Sequence, residues 1–231
     1  MIDMTKRKVL VVDDKEINRQ SASLLKEAGY EVATAENLAE ATELLGLEDP
    51  FFPIDREFRS DYFAVLTDLM MPIGYHKKSA CDCGMDIETT AGYPMAIIAS
   101  IIGVSNIAIL TDMNHHQSQD AAVFDMFQFK TGNHDRRGIR PVYRLNESRF
   151  MLLDERDVTS AYARKDGKFD GQEAYDCNTI GKINDKKIRE DFDAFNARIK
   201  ELDNARYITG VYGYALKAKN WGAVLERLLS D

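Results

Sequence analysis

The chain has 231 residues, 45% of them hydrophobic, and a formal net charge of −8. That is enough apolar material for one large domain or for a domain carrying a substantial insertion. The negative balance disfavours passive binding to nucleic acid or to an anionic membrane. No apolar run reaches the roughly 20 residues of a membrane span, and three cysteines do not form a disulfide framework. Residues 1–8 lack the apolar core of a secretory signal, so a cytoplasmic protein is expected.

Lys8 to Val12 (KVLVV) is a β-branched run without alternation, which suits a strand covered on both faces and ending at Asp13 and Asp14. A helix is predicted from about Glu16, with Ile17, Leu24, Leu25 and Ala28 on one face and Gly29 as its left-handed stop. Tyr30 to Ala35 reads as the second strand. Asn37 caps the next helix, Glu40 completes a capping-box pattern, and Gly46 ends it. Phe63 to Thr67 is a further strand, ending at Asp68, and Ile107 to Leu110 another, ending at Thr111. The longest apolar run, Met95 to Val104, is broken by Ser100 and Gly103.

The fifth strand is assigned to Val211 to Leu216 rather than to Phe150 to Leu153. This choice rests on Tyr214, Lys217 and the amphipathic helix Trp221 to Leu229 that follows. Strands alternating with helices imply a parallel sheet whose carboxyl ends form a crevice. Asp13, Asp14, Asp68, Thr111 and Lys217 all fall on that rim.

The stretch VLVVDDKEINRQSASLLKEAGYEVATAENLAEATELL closely resembles the first half of a response-regulator receiver domain, the phosphoacceptor module of two-component systems. LTDLMMP at 66–72, ILTD at 109–112 and YALK at 214–217 resemble its later motifs, in the same order. The resemblance covers residues 6–130 and 206–230. It implies an α/β fold, an open five-stranded parallel sheet of flavodoxin-like (receiver) topology with an inserted α+β subdomain. The expected organisation is a receiver over 1–130 and 206–231, interrupted by an insertion over 131–205.

Asp68 would be the phosphoacceptor, and Asp13, Asp14, Asp68 and the backbone carbonyl of Met70 would hold Mg2+. Thr111 and Lys217 would bond the phosphoryl oxygens, and Tyr214 would be the switching aromatic. The chemistry of the residues agrees. Clustered carboxylates repel one another until a hard cation relieves them, and carboxylates do form aspartyl phosphates. The resemblance further implies a sensor histidine kinase or phosphotransfer protein as phosphodonor and a downstream protein partner. It does not imply a conventional enzyme. A stand-alone module is expected, since the last helix ends with the chain. The rival readings are a degenerate receiver that acts as a constitutive interaction module, and a metal-dependent phosphohydrolase.

Several features depart from the pattern. Asp112 stands where a small residue is usual, and either obstructs the phosphoryl group or points into solvent. Ala218 replaces the proline expected after Lys217. Thr111 and Lys217 are 106 positions apart, which implies an insertion of about 80 residues. Smaller insertions cover 48–60 and 73–84. Within the large one, residues 131–205 balance fifteen basic against fifteen acidic residues. Val142 to Leu153 reads as a hairpin turning at Asn146-Glu147, and Asp185 to Leu202 as a helix. The apolar stripe of that helix serves either packing or a dimer face. Cys81, Cys83, His76, His115 and His116 are suitable zinc ligands at a spacing unlike structural zinc sites. The 166–176 stretch lacks the ligand alternation of a calcium loop. Arg136, Arg137 and Arg140 lack the aromatic platform of a nucleic-acid site.

Overall fold

The computed structural model describes residues 7–47, 57–74, 88–111, 141–154, 157–158, 160–164, 166, 168–170 and 217–230. Strand β1 (Lys8–Val12) sends Leu10 and Val12 into one core and Val9 and Val11 into the other. Both faces are covered, as the unbroken β-branched run requires.

The helix expected next is divided in two, α1 (Glu16–Gln20) and α2 (Ser23–Glu27). The break has a local cause. The Asn18 carbonyl, which a continuous helix would offer to the Ala22 amide, accepts from the Ser21 hydroxyl at 2.7 Å and the Trp221 indole at 2.8 Å. Ala22 N–H turns instead to Arg19 O at 3.1 Å, a tighter turn that kinks the ladder. The apolar face is divided accordingly: Leu25 joins the sheet core while Ile17 and Leu24 face elsewhere.

Gly29, at φ +94°, ends α2 as predicted, and β2 (Glu31–Ala35) follows. Helix α3 (Leu38–Leu44) starts on its cap, where Asn37 Oδ1 accepts from Glu40 N at 2.8 Å. Glu40 reaches back to the amide of Glu36 rather than to that of the cap residue. Strand β3 (Tyr62–Asp68) leads to the short antiparallel pair β4 (Met71–Pro72) and β5 (Glu88–Thr89). After α4 (Gly92–Ile101), β6 (Asn106–Thr111) is buried throughout.

The hairpin read at Asn146-Glu147 is present, as β7 (Tyr143–Leu145) and β8 (Ser148–Asp154). Asn146 supplies the left-handed residue, φ 52°, that a short turn without glycine needs. Its place in the fold corrects the expectation. Strand β8 is the fifth parallel strand, paired with β6 from Asn106↔Arg149 to Thr111↔Asp154. Phe150 and Leu152 fill one core and Met151 and Leu153 the other. The segment 131–205 therefore contributes two strands to the main sheet instead of standing apart from it. Val211 to Leu216, the expected fifth strand, and Asp185 to Leu202, the expected helix, lie outside the described residues.

The six-stranded sheet has the order β2-β1-β3-β6-β8-β7, with β7 alone antiparallel. The first five strands follow the flavodoxin-like order, with a switch point beside β1. Helices α3 and α4 cover one face. The helices α2 and α5 (Trp221–Leu229) cover the other. A second sheet of β9 (Ser160–Ala163), β10 (Phe169–Asp170) and β11 (Lys217–Lys219), in the order β10-β9-β11, packs Ala161, Ala163, Phe169 and Ala218 on Ile17 and Leu24. Replacing Leu153, fully buried in β8, by alanine should cost about 2–5 kcal/mol. Urea denaturation checks this, and a loss under about 0.5 kcal/mol would contradict a central β8.

Candidate functional site

The acids predicted from sequence converge. Asp13 ends β1, Asp68 ends β3, and both are buried, with 0% and 2% of their surface exposed. Ligand oxygens of Asp13, Asp14 and Asp68 all lie within 4.8 Å of one another. Thr111, also buried, ends the neighbouring β6 one position beyond Leu110, the partner of Asp68. Met70 follows Asp68 by two residues, half-buried against the α3–α4 core.

The lysine of the site is Lys219, not Lys217. Lys219 Nζ lies 2.8 Å from Asp13 Oδ2 and 2.6 Å from Asp68 Oδ2. Lys217 is exposed at the start of β11. The correction is one strand period: in β11, Ala218 packs into the added sheet's core while Lys219 is buried at the acids. The residue after the lysine is consequently Asn220, and it caps α5 by accepting from Ala223 N at 3.0 Å. Tyr214 was chosen for standing three places before Lys217; it stands five before Lys219 and lies outside the described residues. Asp112, His76, Cys81, Cys83, His115 and His116 lie outside them as well.

Two residues that the sequence reading passed over organise the acids. Arg19 Nη1 donates to the backbone carbonyls of Asp13 and Asp14 at 2.8 and 2.7 Å, while Nη2 faces Glu36 at 3.5 Å. Asn18 Nδ2 donates to both oxygens of Asp13, at 3.0 and 3.1 Å. Neither has a signal by residue type. Asn18 is visible only as a polar residue within a helix turn, five positions beyond Asp13. The Asp13 carboxylate also accepts from Lys15 N at 2.9 Å. Asp68 Oδ1 accepts from Leu69 N at 2.6 Å, so the amide and the Lys219 ammonium fix the plane of the Asp68 carboxylate between them.

The charges do not cancel. Among the described residues three carboxylates face one ammonium, and Arg19 is shared with Glu36. Asp14 Oδ1 is buried and meets no hydrogen-bond donor among the described residues. A buried, unpartnered carboxylate oxygen is costly, and a divalent cation bound through oxygens would remove both the excess charge and the orphan. The donor set fits such an ion.

The chain also makes a close approach behind Asp68. A Cβ on Gly92, at the start of α4, would lie 2.3 Å from Asp68 O and 2.8 Å from Leu69 Cα. Only glycine lets the helix start against the Asp68 backbone.

No family model and no curated protein sequence matches the chain. Among solved structures it is similar to the chemotaxis response regulator CheY4 of Vibrio cholerae, at 23% identity over 52% of this chain and 80% of that one, with a TM-score of 0.32. It is similar to the response regulator TrrA of Thermotoga maritima in complex with Mg2+ and BeF, at 25% identity over 51% and 79%, with a TM-score of 0.31. A Burkholderia pseudomallei response regulator with a phosphorylated aspartic acid, calcium ion and citrate matches at 18% identity over 65% and 60%, with a TM-score of 0.34. Among the described residues no helix is long and apolar enough to cross a membrane.

Two predictions follow from the geometry. Lys219→Met should destabilise the protein by about 3–5 kcal/mol in urea, by leaving buried carboxylates uncompensated, whereas Lys217→Met should cost under about 1 kcal/mol. Gly92→Ala should lower stability by about 1–3 kcal/mol through overpacking against Asp68. An unobstructed helix glycine would give a gain of about 1 kcal/mol on the same change, so the sign in a thermal melt decides. The order of the five parallel strands, read from this chain's own pairing, is the flavodoxin-like one, and the lysine at its carboxyl rim is delivered from a second sheet.

Proposed function

We propose that this chain is a response-regulator receiver that accepts a phosphoryl group on Asp68 from the phosphohistidine of a sensor histidine kinase or phosphotransfer protein. The observation that carries this reading is the Lys219 ammonium seated on both Asp13 and Asp68 beside the unpartnered Asp14 oxygen. A structural ion pair needs one acid per base. Two buried acids and a third, half-buried one around a single lysine, at a sheet's carboxyl rim, suit cation and phosphoryl chemistry.

In the transfer, a carboxylate oxygen of Asp68 attacks phosphorus and the P–N bond to the donor imidazole breaks, with its electron pair staying on nitrogen. The chain's residues act by position. Leu69 N–H holds one Asp68 oxygen, leaving the carboxylate oriented before the donor arrives. Lys219, buried against the acceptor, is placed to stabilise negative charge on the transferring oxygens. Thr111, at the end of the adjoining strand, would donate its hydroxyl to the same oxygens. Asp13, Asp14, Asp68 and the Met70 carbonyl would hold Mg2+, which when bound neutralises phosphoryl charge. The output is read by a protein partner, and the chain catalyses no reaction beyond its own phosphorylation and dephosphorylation.

Intact mass after incubation of the full chain with a small phosphodonor and Mg2+ tests the proposal. One phosphate adduct is expected, absent in Asp68→Asn and on chelation of the metal. A folded, Mg2+-binding protein that takes no adduct would overturn phosphoacceptance in favour of a phosphorylation-independent interaction module. Turnover of an external phosphate ester, lost in Asp68→Asn, would overturn it in favour of a phosphohydrolase.

A further inference from the structure

The added sheet meets the acids at Lys219, and Asn18 of α1 joins that residue to Asp13. Asn18 is buried, 4% exposed, and every polar atom of its amide is engaged. Its Nδ2 donates to both oxygens of Asp13, at 3.0 and 3.1 Å. Its Oδ1 accepts from the backbone N–H of Lys219 at 3.0 Å. Lys219 Nζ then returns to Asp13 at 2.8 Å, which closes a circuit of acid, amide and base. The backbone of Asn18 is held too, its carbonyl accepting from the Trp221 indole and the Ser21 hydroxyl.

The setting of that circuit is unusual. Lys219 does not lie on a strand of the main sheet. It ends β11, whose partner is β9 of the small sheet, with Lys219 opposite Ser160. The small sheet is seated on Ile17 and Leu24, residues on either side of Asn18, by Ala161, Ala163, Phe169 and Ala218. Any shift of the sheet across those two side chains moves the Lys219 backbone relative to Asp13. Asn18 is the group whose two ends register that movement.

We infer that Asn18 is a positioning residue that sets Asp13 and Lys219 together and makes the reactivity of Asp68 depend on the seating of the small sheet. The inference rests on the proposed phosphoacceptor role of Asp68. Among the described residues Asn18 makes no hydrogen bond to Asp68; it orients one acid that would bind the metal and the base that faces the acceptor. Groups in that relation to a metal site change its affinity by about 10–100-fold when removed, and small misplacements of a reacting constellation cost rate on a similar scale.

The full chain supplies its own reporter. Trp221 is the single tryptophan; it is fully buried, bonded to Asn18 O, with Lys219 Nζ 5.7 Å from its ring centroid. Two numbers are measured for wild type, Asn18→Ala, Asn18→Gln, Phe169→Ala and the Asn18→Ala/Phe169→Ala pair. One is the rate of adduct formation with a small phosphodonor. The other is the Mg2+ half-saturation without phosphodonor, followed by Trp221 fluorescence and by calorimetry.

Asn18→Ala is expected to slow adduct formation and raise the half-saturation concentration by about tenfold or more each, with circular dichroism unchanged. Asn18→Gln, which keeps both polar atoms on a longer arm, should recover part of each loss. Phe169→Ala should slow the reaction in the wild-type background but add less than about twofold to Asn18→Ala, because the two act through one link. Both numbers within about twofold of wild type in Asn18→Ala would overturn the inference and leave the phosphoacceptor reading standing, as would additive losses in the pair for the coupling to the sheet. If wild type takes no adduct, the phosphoacceptor reading falls and the Mg2+ titration alone decides: an unshifted half-saturation overturns the positioning role and a shifted one retains it. Should Asn18→Ala fail to fold, Asn18→Ser is judged by the same two numbers.

Discussion

The Lys219 ammonium, shared between two buried carboxylates, is the interaction on which the arrangement of this protein turns. Removing any of the three from water is expensive, and their mutual attraction recovers that cost only with close geometry and satisfied remaining valences. The contacts around them supply this. Asp13 receives the Asn18 amide and the Lys15 N–H, and Asp68 receives the Leu69 N–H. What stays unsatisfied is Asp14, and the imbalance is specific: it points to a cation rather than to a poorly packed loop.

The fold puts these groups together by terminating strands. Strands β1 and β3 are buried on both faces up to their last residues, so the chain emerges into the crevice at Asp13 and Asp68 with no freedom in register. Gly92 permits α4 to begin against the Asp68 backbone, which ties Asp68 to the helix covering that face of the sheet. Arg19 draws the two carbonyls after β1 together and steadies the turn that carries Asp14. The backbones of Asp13 and Asp68 are thereby held by the main sheet, while the Lys219 ammonium that joins their carboxylates comes from the added one.

Much of this was legible in the sequence. The β-branched runs ending in aspartate, the Asn37–Glu40 cap and the Gly29 stop rest on short-range rules, and all appear. So does the hairpin at Asn146. The fifth strand was misplaced because two segments satisfied different rules. Val211 to Leu216 had a lysine and a helix after it, whereas Phe150 to Leu153 had only four apolar residues in a row. The latter is the signature of burial on both faces, and the packing of Phe150, Met151, Leu152 and Leu153 into two cores shows it. The expectation of Lys217 as the site lysine has the same source, the YALK pattern at 214–217. Alternating residues of one strand differ only in which face they present, and nothing local in KAK says which lysine points at the acids. Asn18 could not be found from residue type, since its role depends on a backbone that arrives from 201 positions away.

The separation of Lys219 from the fifth strand changes what holds it. Strand β8 ends at Asp154, beside Thr111, and the chain reaches Lys219 only after passing through the second sheet. A lysine at the end of a central strand would have its backbone fixed by the ladders on both sides. In β11, one edge pairs with β9, and a residue's N–H and C=O point to the same edge. For Lys219 that edge is occupied by α1 and its junction: Asn18 Oδ1 takes the N–H at 3.0 Å, and the Ser21 hydroxyl, its one proton shared between the Asn18 and Lys219 carbonyls, lies 2.5 Å from the C=O. Two side chains of a broken helix thus stand in for the missing neighbouring strand. The break between α1 and α2 has the same origin, because Ser21 and Trp221 take the carbonyl that would have continued the helix. The kinked helix, the seated sheet and the buried lysine are therefore one structural solution, in which side chains of α1 and its junction hold the backbone of the base that faces the acids.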